Sequence, residues 1–142
     1  MQKKKPITVT AAVIWEDGKF LITQRPGGVH LEGLWEFPGG KKKERETLEQ
    51  CMEREIMEEL GIKIRIEKEL FEVLHEYESK VVELHFFQCV ITEGIASPRE
   101  GQNMRWIEPF EISRYKFPSP DRKIVEHIAG QTGKVQGLEG AE

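Results

Sequence analysis

Five glutamates lie between Thr47 and Leu60, and two of them stand where a helix should be apolar. Leu48, Cys51, Met52, Ile56 and Leu60 recur at helical spacing, and Gly61 follows as a stop. With about 100° of rotation per residue and Leu48 set at zero, these five define one apolar arc. Glu55 then falls at about −20° and Glu59 at about +20°, inside that arc, with Glu58 at its edge at about −80°. Glu49 and Glu53 border the other side. Two like charges one turn apart repel, and burying either unpaired costs several kcal/mol. A hard divalent cation with oxygen ligands offsets that cost. Arg54 can hold one carboxylate bidentately. The competing reading is an exposed, Glu/Arg-rich helix with a different apolar register.

The elements that must position this helix are legible on both sides. Ile7 to Trp15 reads as a strand rich in β-branched residues, Asp17-Gly18 as a hairpin turn, and Phe20 to Thr23 as the returning strand. Gly27-Gly28 and Gly33 bracket a loop that ends in Trp35-Glu36-Phe37-Pro38-Gly39-Gly40. Strands are expected at Ile62–Ile66, Leu70–Glu76, Val81–Ile91 and Met104–Ile107, and a last helix from Asp121 to about Ala129. Strands on either side of one central helix, closed by another, imply an α/β sandwich with a mixed sheet. Residues 1–130 form a single domain in this reading, and residues 131–142, rich in glycine, form a flexible tail.

Composition narrows the chemistry. At 142 residues the chain suits one domain, which at this size needs no disulfide or structural zinc. A net charge of −4 gives no global attraction for nucleic acid polymers. The apolar run Ile7–Trp15 is too short for a bilayer span, so no membrane partner is expected. Lys3-Lys4-Lys5 precedes it without a cleavage site, which argues against secretion. Cys51 and Cys89 lack metal-ligand spacing and read as buried thiols in a reducing cytoplasm.

From Gly40 the chain runs Gly, five residues, Glu46, seven residues, Arg54-Glu55-Ile56, one residue, Glu58-Glu59, one residue, Gly61-Ile62. This resembles the Nudix box at every specified position. The likeness extends to Gln24-Arg25-Pro26, Leu34 to Lys41, Val81 to Phe87, Glu100-Gly101-Gln102, Trp106 before Pro109, and Phe117-Pro118 before Asp121. It covers most of residues 7–128 and resembles the MutT-like branch of nucleoside triphosphate pyrophosphohydrolases. The resemblance implies a Nudix fold, an α/β/α sandwich with a mixed sheet and a loop–helix–loop catalytic motif.

It also implies a site. Mg²⁺ or Mn²⁺ would be held by Glu55, Glu58, Glu59 and the carbonyl of Gly39. Glu100 would join the metal site or act as general base, a role it shares as a candidate with Glu55. Arg54 would orient a catalytic glutamate, with Glu46 as its partner outside the metal shell. Lys41 would contact phosphate, Phe37 would stack on the base, and Arg25 would line the pocket. Water would attack the β-phosphorus of a (deoxy)nucleoside triphosphate, natural, oxidised or modified. Nucleoside monophosphate and pyrophosphate would leave, as in cytoplasmic sanitation of the nucleotide pool linked to DNA repair. The protein would act as a monomer or homodimer.

Asp121 stands where the oxidised-guanine branch carries asparagine. An ionised carboxylate only accepts hydrogen bonds, so aspartate favours a base edge with amino or N–H donors, and a plain helix N-cap is the other role open to it. Trp35 and Trp106 read as core aromatics, and His75 and His85 as sheet-face residues. Two further function classes stay open. One is hydrolysis of another nucleoside diphosphate derivative, such as ADP-ribose or a dinucleoside polyphosphate. The other is a non-catalytic Nudix binding module, which need not keep Arg54, Glu55, Glu58 and Glu59.

Overall fold

A computed structural model describes residues 5–26 and 33–140. Strand β1 (Ile7–Glu16) turns back into β2 (Lys19–Gln24), and the short β3 (Trp35–Glu36) and β4 (Gly39–Lys41) follow. Helix α1 (Leu48–Leu60) leads to two long strands, β5 (Lys63–Glu76) and β6 (Val81–Glu93), and then β7 (Asn103–Ile107). Two 3₁₀ turns, Pro109–Arg114 and Ser119–Asp121, precede helix α2 (Arg122–Gly140). The β1–β2 turn is the one read from sequence, with Asp17 at φ 53° and Gly18 at φ 79° matching the hand of the flanking strands. The Gly27-Gly28 loop lies outside the described residues.

The sheet is mixed, in the order β3-β2-β1-β6-β5, with β7 on the outer edge of β2. β1 and β6 run parallel from Ile7 opposite Val82 to Trp15 opposite Val90, and the other pairs are antiparallel. β1 and β2 pair only at Trp15–Phe20 and Glu16–Lys19 before they part. Residues 35–41 enter that gap, where β3 pairs with β2 and β4 with β1, and the Ala12 amide donates to the Pro38 carbonyl. The sequence reading has these residues as loop, because Pro38 and the two glycines after it hide the alternation that marks a strand.

Alternation along β1 divides the core. Ala12 and Ile14 face α1 with Met52, Ile56, Leu60, Phe87 and Cys89, while Ala11 and Val13 face α2 with Phe86, Ile124 and Ile128. The sheet between two helices is the expected α/β/α sandwich. Cys51 and Cys89 are free and buried, as their spacing suggested.

Two boundaries differ from the sequence reading. Ile62–Ile66 and Leu70–Glu76 belong to one strand, β5, which keeps pairing with β6 through register shifts at 63/64, 66/68 and 69/71. The charged run Glu67-Lys68-Glu69 interrupts apolar alternation without interrupting the ladder. Helix α2 runs past Ala129 to Gly140. The glycines there lower helix propensity by about 1 kcal/mol each, yet no proline follows Pro120 to stop the helix. Among the described residues no helix is long and apolar enough to cross a membrane.

Candidate active site

The rotation of α1 about its axis fixes the site. Thr47 caps its start in a reciprocal box with Gln50, and Gly61 in the left-handed conformation (φ 70°) ends it. Cys51, Met52, Ile56 and Leu60 are buried under the sheet. Burial of each large side chain contributes roughly 1.5–3 kcal/mol, so apolar packing dominates the orientation. Glu55 and Glu59 are thereby turned toward the seam between α1 and β4, where they line a cavity of about 500 Å³.

Arg54 organises the carboxylates around it. Its Nε donates to Glu46 Oε2 at 2.5 Å and its Nη2 to Glu46 Oε1 at 2.9 Å, a bidentate pair. Nη1 donates to Glu55 Oε2 at 2.6 Å and to Glu58 Oε1 at 3.3 Å, and Nη2 also reaches the Lys41 carbonyl at 3.0 Å. The Arg54 hydrogen bonds, with the Lys43 amide, hold the Glu46 carboxyl down at about 2. One guanidinium thus ties the loop before the helix to the helix itself and fixes one face of Glu55.

Among the described residues Glu59 has no such cation. Burial comes first, followed by the hydrogen bond and charge of Glu55 and the charges of Glu100 and Glu36, and together they push its pKa up to about 9. A divalent cation is the natural counter-charge for such a group, and oxygen donors suit a hard ion. Mg²⁺ or Mn²⁺ fits this donor set.

Glu100 arrives from a loop stitched to the last turn of α1. Ser97 N donates to Leu60 O, Arg99 N to Glu59 O, and Gln102 Nε2 to Glu59 O, while Gln102 Oε1 accepts from the Glu100 amide. The glycines act on the opposite wall. A Cβ at Gly39 would lie 2.0 Å from the Thr10 carbonyl oxygen, and one at Gly40 would lie 2.2 Å from Glu55 Oε1. The first contact is with backbone, whereas the second is with a side-chain tip that can move. Gly40→Ala is therefore expected to fold but to displace Glu55, with kcat lower by about 10²-fold. Steady-state kinetics beside a thermal melt checks this.

The cavity's other lining groups include Arg25, Glu36, Phe37, Tyr77, Lys80 and Asp121. Arg25 Nη2 pairs with Glu36 Oε1 at 3.1 Å. Asp121 is 6% exposed, and burial plus the Glu36 charge, against the opposing Arg25, pushes its carboxyl up to about 7. Phe37 stacks on Phe117 at 5.2 Å between ring centroids and also contacts Phe20 and Phe86. Lys80 Nζ lies 5.4 Å from the Tyr77 ring centroid.

The structure brings Arg25, Phe37, Gly39, Lys41, Glu55, Glu59, Glu100 and Asp121 to this one cavity. Arg54 stands behind Glu55. Glu58 is not among the lining residues; its side chain is 51% exposed and turned to Arg54. Trp35 packs edge-on against Tyr115 and Trp106 against the α1-side core, so neither lines the cavity. His75 packs against Tyr77, and His85 is buried among glutamates on β5 and β6. Glu36, Tyr77 and Lys80 are lining residues that the sequence reading does not single out. Only Glu36 carries a local signal, its place within Trp35 to Gly40.

A family model described as NUDIX domain matches residues 9–127. The chain is 35% identical over 133 residues to the 8-oxo-dGTP diphosphatase of Haemophilus influenzae, covering 91% of this chain and 96% of that protein. It is 34% identical over 122 residues to the CTP pyrophosphohydrolase of Escherichia coli, covering 86% and 90%. The crystal structure of the MutT protein from Methanosarcina mazei Go1 superposes with a TM-score of 0.78 at 25% identity, covering 93% and 99%. The chain belongs to the Nudix hydrolase family.

Proposed function

We propose that the protein hydrolyses (deoxy)nucleoside triphosphates, natural or base-modified, to nucleoside monophosphate and pyrophosphate. The observation that carries this reading is one cavity with two chemically distinct sets of groups. Glu55, Glu59 and Glu100 supply clustered carboxylates, and Arg25, Phe37 and Asp121 supply what a nucleobase needs, an aromatic edge and hydrogen-bonding groups. Its volume lies within the range of small-ligand sites. The similarity to a CTP pyrophosphohydrolase and to an 8-oxo-dGTP diphosphatase supports the same substrate class.

Glu55, Glu59, Glu100 and the Gly39 carbonyl would hold Mg²⁺ or Mn²⁺, and Glu58 would join them by leaving Arg54. The bound ion would supply charge neutralisation for the phosphates and an acidified water. Arg54 keeps Glu55 oriented through the hydrogen bond from its Nη1. Glu55 or Glu100 accepts the proton of the attacking water. Lys41 and Lys80 meet the polyphosphate as it enters, countering repulsion from five lining carboxylates: Glu36, Glu55, Glu59, Glu100 and Asp121. Phosphoryl transfer needs little more than this positioning and electrostatic stabilisation.

Asp121 reads the base in this account. With its carboxyl near 7 it both donates and accepts around neutral pH, a capacity that an exposed aspartate lacks. Asp121→Ala is expected to change the ratio of kcat/KM between cytosine and purine triphosphates by roughly 10- to 100-fold, the value of a hydrogen bond to a charged partner. A panel of natural and oxidised triphosphates, assayed with both proteins, tests it. Unchanged ratios would remove Asp121 from base recognition. Turnover of ADP-ribose or dinucleoside polyphosphates, with none of any triphosphate, would overturn the substrate class.

A further inference from the structure

Away from the cavity, β5 gathers two glutamates that a regular strand would separate. Glu69 and Glu72 are three residues apart, and strand side chains alternate between faces, so the two should point oppositely. The register shift between Glu69 and Phe71 changes this: Glu69 lies opposite Phe87, and Glu72 opposite His85. An extra residue in one strand brings both carboxylates to the face that carries His85 and Phe87. Glu83, two residues before His85 on β6, shares that face.

The buried His85 ring is held from both sides. Nε2 lies 2.7 Å from Glu83 Oε1, while Nδ1 lies 2.9 Å from Glu69 Oε2 and 3.8 Å from Glu72 Oε1. His85 is 5% exposed, whereas the Glu72 side chain is 60% exposed. One ligand atom from each of Glu69, Glu72 and His85 lies within 4.8 Å of the others. Ligand atoms around a tetrahedral zinc, with bonds of about 2.0–2.1 Å, stand about 3.3–3.5 Å apart. The distances of 2.9 and 3.8 Å straddle that value. Small rotations of the two outer glutamates would equalise them.

We propose that Glu69, Glu72 and His85 form a second cation site, for a divalent first-row transition ion of the zinc class, separate from the carboxylates of α1. The imidazole nitrogen distinguishes it from a magnesium or calcium site. Glu83 has the place of the carboxylate that commonly backs a ligating histidine, accepting from Nε2–H and leaving the Nδ1 lone pair to the ion. None of the four residues lines the cavity, and along β6 Glu83 and His85 alternate with Val82 and Leu84, which do. The ion would clip the bulge of β5 to its neighbour. This assignment does not depend on the reaction proposed above.

Zn²⁺ added to the full chain in saturating Mg²⁺ tests it, by equilibrium binding and by nitrogen NMR of the imidazole rings. The expected result is that the Glu69→Gln/Glu72→Gln double variant and His85→Gln each bind one Zn²⁺ fewer than the wild type. Glu59→Gln would keep that ion, and the His85 Nδ1 resonance would shift on titration. The double variant alters only solvent-accessible side chains, so it is informative even where His85→Gln fails to fold. Equal Zn²⁺ binding by the double variant and the wild type, or an unmoved His85 resonance, would overturn the site and leave an imidazole held by carboxylates alone.

Discussion

Glu59→Gln lowers kcat by about 10²- to 10⁴-fold while leaving the fold intact. The two halves of this expectation have different causes. In the folded chain Glu59 is half-buried beside Glu55 and feels Glu100 and Glu36, which raises its pKa to about 9. Its charge is therefore a cost to the metal-free protein, and glutamine, with the same shape and no charge, removes it. The metal-free variant should melt no lower than the wild type. What it loses is a ligand. Mg²⁺ stabilises a protein according to its affinity for the native state, so the Mg²⁺-induced rise in Tm should shrink along with kcat. Thermal melts with and without Mg²⁺, beside steady-state kinetics, read both effects. A variant with wild-type kcat would show that the ion is held elsewhere.

Arg54→Lys lowers kcat by about 10²-fold and also lowers Tm. The charge is kept, so electrostatics alone predicts little change. The geometry predicts more. Arg54 uses its planar fork to hold Glu46 bidentately and Glu55, Glu58 and the Lys41 carbonyl at the same time. A lysine ammonium is a point charge on a flexible stem and cannot span these partners. Glu55 then loses its fixed position against Gly40, and the loop from Lys41 to Glu46 loses its tie to the helix. Kinetics at saturating and limiting substrate separates this from a binding defect, because KM should move less than kcat. Near-wild-type kcat in the lysine variant would mean that charge, not orientation, is what Arg54 supplies.

What could be read from the sequence follows from what is local. The wheel of Thr47–Leu60 placed Glu55 and Glu59 inward because apolar packing fixes a helix's rotation, and the structure has them lining the cavity. The Thr47 cap, the Gly61 stop and the Asp17-Gly18 turn are equally local, each set by a few neighbouring residues. Glu58 is at the edge of the arc on the wheel, and it is the one glutamate of the expected metal set that does not line the cavity. Non-local pairing hid the rest. β3 and β4 exist because β1 and β2 part, which no pattern in residues 35–41 announces. Glu36, Tyr77 and Lys80 reach the cavity from the β3 segment and the β5–β6 turn, far apart in sequence. The neighbourhood of Glu69, Glu72 and His85 depends on a register shift between β5 and β6, and alternation counted along either strand alone gives the wrong face.

The most direct test of the proposed reaction is hydrolysis of a deoxynucleoside triphosphate with Mg²⁺ in heavy-oxygen water, with mass analysis of both products. Attack at the β-phosphorus predicts equal amounts of monophosphate and pyrophosphate, with the label in pyrophosphate and none in the monophosphate, and loss of both products in Glu59→Gln. Release of orthophosphate with nucleoside diphosphate, label in the monophosphate, or undiminished turnover by Glu59→Gln would contradict the account.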